Sequence, residues 1–324
     1  MSGVTSHERN RLVIASQLGE KLNGAITIRV PDVDLIELPR GIVEQVPGDA
    51  EVLFAAPIHG SAARRHNRPP AAWPGRLRWI QLISAGADGY PRWFFDGPVV
   101  TCGRGPSAEP LAEFALAAIF AAAKRLPEIW IDDPARWQMT PLDTVSGATL
   151  GIVGFGAVGQ ALAVKALALG MRVVAIRRSD QPFEIDGVAR AGSLAELFAR
   201  SDHVVLAAPS TAHTDYMVDA RLLEHAKPGL HLINIARGAL IDDAALIAAL
   251  DTGRVGLATL DSTDPEPLPT GHAYYHHPRV RLSPHTSMAT PGALELLTDK
   301  LVDNLARYRA GRPLTDIVDI ERGY

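Results

Sequence analysis

The sequence predicts an α/β protein with a doubly wound parallel sheet, and three observations carry that expectation. Short apolar and β-branched runs recur at distances that leave room for a helical crossover between them, which is the pattern of parallel strands. A glycine turn, Gly154-Phe155-Gly156-Ala157-Val158-Gly159, stands where one such run passes into a helical stretch. The chain of 324 residues is too long for one comfortable core, so about two domains are expected. Apolar content of 47% and charged content of 21% are those of an ordinary soluble globular protein. The formal charge of -4, with no face that concentrates Lys and Arg, argues against a nucleic-acid partner. Cys102 is the single cysteine, which excludes an internal disulfide framework and fits a reducing cytoplasm. The first ten residues lack an apolar signal core, so secretion is not expected.

In chain order, residues 11–15, 35–38, 51–56, 76–82 and 98–102 read as strands of a first α/β domain. The basic, proline-rich segment that follows Ile58 and His59 reads as a surface connection, although those two residues reach a substrate if the loop folds toward a cleft. The turn at 84–88 follows a strand and is centred on Gly86, so its backbone N–H groups can face an anion. A helix is expected from Glu109 onward, with Pro110 in its first turn and Lys124 and Arg125 complementing its C-terminal dipole. Its most apolar part, 111–123, contains Glu113 and is too short for a membrane span, so it reads as a buried or subunit-interface helix that can join two domains. The less regular stretch 129–147 carries Trp130 and Trp137, large aromatics on a loop that suggest an interface with a second subunit.

Residues 149–178 then form strand, glycine turn, helix and second strand. Gly154 allows the tight turn, Gly156 lets backbone approach a pyrophosphate, and Gly159 lets the helix lie close on the sheet, with the phosphate at the helix N-terminus. Ala157 and Val158 complete this turn. Further strand-like runs at 203–207, 231–235, 256–260 and 280–283 make the sheet mostly parallel. Asp242 and Asp243 open one helix and Gly253 closes it. The last helix opens at Thr290-Pro291 and repeats Leu294, Leu297, Leu301 and Leu305 as one buried stripe.

Ligands of an open parallel sheet bind beyond the carboxyl ends of its strands. Arg237, Glu266 and His285 each follow a predicted strand of this sheet, and together they suit carbonyl reduction. A protonated His gives the proton, a neighbouring carboxylate orients its ring, and an Arg binds a substrate carboxylate and stabilises charge on the oxygen.

The segments 233–246 (INIARGALIDDAAL), 260–269 (LDSTDPEPLP) and 282–287 (LSPHTS), together with the glycine turn, resemble the D-isomer-specific 2-hydroxyacid dehydrogenases. The resemblance extends to 79–88 and 108–116 and so covers nearly the whole chain. It implies that Arg237, Glu266 and His285 carry catalysis and that Ala85 and Gly86 offer backbone N–H groups to the substrate carboxylate. It further implies that Ile235 and Asp261 hold the nicotinamide carboxamide and that Pro209 and Thr214 line the cofactor ribose. Tyr275 stands where many relatives have Trp. Two Rossmann-like domains are implied: a discontinuous, smaller, flavodoxin-like substrate domain (1–107 with 291–324) and a dinucleotide-binding domain (108–290). A homodimer whose contact includes the Trp137 region is also implied.

An NAD-preferring unit places Asp or Glu at the end of the second strand. This chain has Arg177 there, followed by Arg178 and Ser179, two cations and a hydroxyl suited to a 2′-phosphate. The alternative is that the arginines stack on adenine or point to water. The expected activity is NADP(H)-preferring reduction, with NAD(H) also admissible, of a short 2-keto acid such as glyoxylate or hydroxypyruvate to the D-2-hydroxy acid. No metal and no membrane are called for. A dehydrogenase of another small acid, such as phosphite, and a dinucleotide-sensing protein of the corepressor kind are the alternatives, and Glu266 speaks against formate.

Overall fold

The computed structural model describes residues 11–58 and 68–324, so the expectation for His59 lies outside the described residues. The chain divides into two compact units, Met1–Arg104 with Leu294–Tyr324, and Gly105–Ala293. Each is α/β, as the recurring apolar runs require.

The first unit holds β1 (Leu12–Ser16), α1 (Glu20–Arg29), β2 (Val33–Glu37), β3 (Val52–Ala55), β4 (Trp79–Leu82) and β5 (Val99–Thr101). Its sheet runs β2-β1-β3-β4-β5 and every neighbouring pair is parallel. Alternate residues of a strand face opposite sides. Val52 and Phe54 of β3 accordingly enter one core and Leu53 and Ala55 the other. The first of these cores is closed by Leu22 and Ile26 of α1 and by the long terminal helix, numbered α7 in chain order (Pro291–Arg309). Its leucine stripe behaves as its spacing predicts: Leu301 and Leu305 are fully buried, with Leu294 and Leu297 packed beside them. The helix α1 escapes a reading by periodicity because only Leu22, Asn23 and Ile26 are buried in it.

The second unit contains α2 (Ala108–Ala123), β6 (Thr149–Val153), α3 (Ala157–Ala168), β7 (Arg172–Ile176), β8 (Val188–Arg190), α4 (Leu194–Arg200) and β9 (His203–Leu206). It continues with α5 (Ala220–Glu224), β10 (Leu230–Asn234), α6 (Asp243–Asp251), β11 (Val255–Leu260) and β12 (Val280–Leu282). The sheet order is β12-β11-β10-β9-β6-β7-β8, all parallel. The chain leaves β6 in one direction through β7 and β8, then returns to β6's other side and builds outward through β12. The order therefore reverses between β6 and β9, and a crevice opens at the carboxyl ends there.

Helices α2 and α3 cover one face over Ile152, Val205 and Ile233, while Val153, Val204 and Leu232 face the other core with α4 to α6. Because both faces are covered, the strands read as continuous apolar runs. Lys165 of α3 ties to Glu109 of α2 at 2.9 Å. At the amino ends of β9 and β10 a half-buried and a buried imidazole meet, His203 Nδ1 3.2 Å from His231 Nδ1, with His231 Nε2 2.9 Å from Thr259 Oγ1. Burial, then the charge of His203, pushes His231 down to about 3, so this pair is neutral near pH 7. No helix among the described residues is long and apolar enough to cross a membrane.

Candidate active site

Because every strand of the second unit is parallel, the residues directly following β6, β7, β9, β10, β11 and β12 share one sheet edge. That edge receives the glycine turn, Arg177, Pro209 and Thr214, Ile235 with Arg237, Asp261 with Glu266, and His285.

The glycines behave as their spacing requires. Gly154 has φ of 100° and a Cβ there would lie 2.6 Å from the Ala207 carbonyl oxygen, so the turn presses against the end of β9. A Cβ on Gly159 would lie 2.3 Å from the Gly154 oxygen, which fixes how closely α3 approaches the strand. At Gly156 nothing lies within 4 Å of a Cβ. Packing within the protein thus gives no reason for a glycine at that point, whereas a ligand lying against the backbone does. Gly156 also caps α3 without a side-chain hydrogen bond, leaving the first helical N–H groups free to face an anion. These residues fit a dinucleotide pyrophosphate. In the next loop, Thr214 Oγ1 donates to the Pro209 oxygen at 2.7 Å and accepts from Thr211 N at 2.8 Å, which fixes the loop after β9.

The remaining three loops hold one another. Asn234, fully buried at the end of β10, donates from Nδ2 to the Arg237 oxygen at 2.8 Å and accepts from Ala236 N at 3.0 Å. This brace sets the backbone that presents Arg237, whose Nη1 donates to the Ala236 oxygen at 2.8 Å. The next residue, Gly238, packs so tightly that a Cβ would lie 2.0 Å from Thr263 C and 2.3 Å from Asp264 N. The loop after β10 is therefore seated on the loop that carries Glu266. Glu266 accepts from Thr263 N at 3.1 Å.

His285 lies in the left-handed region, φ 49°, which a non-glycine residue adopts at a cost and keeps only when its surroundings impose it. Its backbone N–H donates to the Asp261 and Ser283 oxygens at 2.8 and 3.0 Å. Its Nδ1–H donates to Glu266 Oε2 at 2.9 Å and Oε1 at 3.1 Å, leaving Nε2 as the other ring nitrogen. Side-chain exposures of 24% and 19% leave this pair reachable from solvent yet largely enclosed. Burial alone would push the Glu266 carboxyl up. The hydrogen bond and charge of His285, the Thr263 N–H and the charge of Arg237 outweigh it and hold Glu266 below the usual carboxylate range.

Asp261, which the resemblance assigns to the nicotinamide carboxamide, directly follows β11 and is tied into the loop after β12. Oδ1 accepts from Ser283 Oγ and Thr286 N, and Oδ2 accepts from Ser287 N and Ser287 Oγ, all within the loop after β12. Its side chain ties down the loop that carries His285. Ile235 follows β10 directly and is nearly buried beside it.

Arg177 is half-buried and its Nη2 donates to the Gln181 and Pro182 oxygens at 2.8 Å each, while Nε is buried without a partner. Arg178 and Ser179 are exposed. Tyr275, 47% exposed, donates to the Leu268 oxygen at 3.1 Å.

Ala85 and Gly86 belong to the first unit, in the loop after β4. Ser84 Oγ donates to the Gly86 oxygen at 2.6 Å and Tyr90 OH to the Ala55 oxygen at 3.2 Å, which closes the loop on itself. Among the described residues neither the Ala85 nor the Gly86 amide has an acceptor.

The sequence model of the D-isomer specific 2-hydroxyacid dehydrogenase NAD binding domain matches residues 116–287. The chain belongs to the D-isomer specific 2-hydroxyacid dehydrogenase family. This dehydrogenase is 31% identical to glyoxylate/hydroxypyruvate reductase A of Serratia proteamaculans over 272 residues, covering 79% of this chain and 86% of that one. A D-isomer specific 2-hydroxyacid dehydrogenase from Xanthobacter autotrophicus, solved with NADPH and MES, superposes with a TM-score of 0.80 at 26% identity, covering 97% and 99% of the two chains. The NADPH-dependent glyoxylate/hydroxypyruvate reductase of Sinorhizobium meliloti, solved with NADP and malonate, gives 0.78 at 26% identity, covering 96% and 97%. The chain is thus an NAD(P)-dependent oxidoreductase of this family.

Asn234 and Gly238 are the site residues that sequence reasoning missed. The available signal was a polar residue at the carboxyl end of the strand and a glycine directly after the arginine.

Proposed function

We propose that this enzyme reduces a short 2-keto acid, glyoxylate or hydroxypyruvate in the first instance, to the D-2-hydroxy acid, with NADPH preferred over NADH. The observation that carries the proposal is the His285–Glu266 hydrogen bond of 2.9 Å on the sheet edge that also presents Arg237 and the glycine turn. The bound nicotinamide supplies hydride to the carbonyl carbon. His285 gives the proton from Nε2 to the carbonyl oxygen, while Glu266 keeps Nδ1 protonated and stabilises the imidazolium before transfer. Arg237 binds the substrate carboxylate and stabilises charge growing on the oxygen. The Ala85 and Gly86 amides are assigned to carboxylate binding by the family resemblance. Ile235, Asp261 and the Pro209–Thr214 loop line the dinucleotide, and Asp261 also holds the His285 loop.

The NADPH preference is supported by Arg177, Arg178 and Ser179 standing where an NAD-preferring unit has a carboxylate. The two solved relatives described above carry NADPH or NADP. A homodimer is supported by Trp137, 83% exposed, and Trp130, 65% exposed, on one loop, and light scattering of the purified protein reads it directly.

Steady-state oxidation of NADPH and NADH against a panel of 2-keto acids tests the reading. Turnover of short 2-keto acids with a kcat/KM advantage for NADPH is expected. Tight NADPH binding without oxidation by any acid overturns it and favours a dinucleotide sensor.

A further inference from the structure

Beyond Arg177 and Arg178, the phosphate side of the glycine turn carries a third arginine that the sequence does not single out. The Phe183 ring lies 4.4 Å, centroid to centroid, from Phe155, the residue between the first two glycines of the turn. Two guanidinium groups sit over that ring, Arg190 Cζ at 4.3 Å and Arg177 Cζ at 5.3 Å from its centroid. Arg190 ends β8 opposite Ala175 of β7, and Arg177 directly follows β7. Both also donate to the Gln181 oxygen, and Arg190 Nη1 donates to the Ser179 oxygen at 3.2 Å. Among the described residues neither arginine pairs with a carboxylate.

Two like charges gathered on one carbonyl and one ring, without a counter-ion, repel each other, and a dianionic group between them would reverse the sign of that interaction. The two arginines are not equivalent. Each donates to two carbonyls of the loop after β7, but Arg177 is half-buried, with both hydrogen bonds from one Nη, so it serves chiefly to fix the loop. Arg190 is exposed, and an arginine stacked on an aromatic ring keeps its planar fork of donors oriented at the ring edge.

We propose that Arg190, seated on Phe183 beside Arg177, is a second specificity determinant that contacts the 2′-phosphate of the dinucleotide. The assignment rests on the NADPH reading above and names a residue that reading does not include. It makes the phosphate subsite bipartite: Arg178 and Ser179 come from the loop after β7 and Arg190 from the edge strand, with Arg177 holding the two together.

The test is calorimetric titration of 2′,5′-ADP and of 5′-ADP into the intact wild-type protein and the variants Arg190→Ala, Arg190→Lys and Arg177→Ala. It is run alongside the NADPH-to-NADH ratio of kcat/KM. Arg190→Ala is expected to weaken 2′,5′-ADP about tenfold or more, the scale of one charge-assisted contact, and to change 5′-ADP by less than about twofold. Arg190→Lys keeps the charge but loses the fork and should recover part of the loss. A 2′,5′-ADP affinity that survives Arg190→Ala while Arg177→Ala abolishes it overturns the role of Arg190 and leaves the NADPH reading intact. Equal weakening of both nucleotides by Arg190→Ala also overturns it, because a loop-holding role alone would not discriminate. A wild-type protein that binds 2′,5′-ADP no better than 5′-ADP overturns both. Arg190 is exposed, so an unchanged thermal midpoint is expected to accompany the binding change.

Discussion

Replacing Asp261 with Asn tests whether the loop that presents His285 is held by one carboxylate. The side chain is 1% exposed and accepts two hydrogen bonds on each oxygen, from Ser283, Thr286 and Ser287. Whichever way the amide is turned, its NH2 faces two donors, one of them the backbone N–H of Thr286 or Ser287. A buried donor left without an acceptor costs about 1–3 kcal/mol, and each hydrogen bond to a charged partner contributes about 1.5–3 kcal/mol. A destabilisation of about 3 kcal/mol is therefore expected. The effect carries its own pH signature. Burial pushes the Asp261 carboxyl up, but the hydrogen bonds from Ser283, Ser287 and Thr286 outweigh it and leave it below the usual range. A carboxyl depressed in the folded state contributes stability that is complete above its unfolded value of about 3.9 and is lost as pH falls through the folded value. The gap between wild type and Asp261→Asn, read from urea unfolding, should be full at pH 7 and shrink below about pH 4. Because the Asp261 carbonyl also receives the His285 N–H at 2.8 Å, the loosened loop should lower kcat by about tenfold, with a smaller change in KM. A variant within about 0.5 kcal/mol of wild type and with normal kcat would refute the argument.

Three further outcomes follow from the same geometry. His285→Ala should lower kcat by about a hundredfold or more, the scale of general acid catalysis, with NADPH affinity by fluorescence titration nearly intact; unchanged turnover would sink the proton-donor role. Gly238→Ala places a Cβ 2.0 Å from Thr263 C, which is backbone and cannot rotate away, so a loss above about 2 kcal/mol in thermal or urea unfolding is expected. A variant as stable as wild type would show that the two loops can part. His231, held at about 3 instead of 6.5, contributes stability that is complete above pH 6.5 and is lost as pH falls toward 3. His231→Asn should remove up to about 1.4 kcal/mol per pH unit from the slope of stability in that window, and an unchanged slope would contradict the neutral buried imidazole.

Most of the sheet was legible because parallel strands covered on both faces write themselves as apolar runs, and the glycine turn marks where the order reverses. The terminal helix was equally plain in its leucine stripe. Two elements were not: α1, whose buried face is only Leu22, Asn23 and Ile26, and β8, three edge residues of which none is buried. In the site, Arg237, Glu266 and His285 could be found because position after a parallel strand is a sequence property. The contact of Gly238 with Thr263 and the hydrogen bonds of Asp261 depend on which loops touch, and residues 22 to 26 positions apart in sequence give no local sign of it; the Asn234 brace spans only three residues but shows only in the folded loop. Arg190 escaped for the same reason, as an arginine at the end of a short exposed strand looks like any solvated cation until Phe183 is seen beneath it.

The seating of Gly238 on Thr263 has a consequence for how such an enzyme can change. The arginine assigned to grip the carboxylate and the glutamate that orients the histidine sit on two backbones with no clearance for even a methyl group between them. An insertion in either loop would displace both functions at once. A lineage that acquires a new substrate is therefore expected to keep residues 234–238 and 261–266 at fixed length and to vary elsewhere. For engineering, that makes these two loops a module to be transplanted whole.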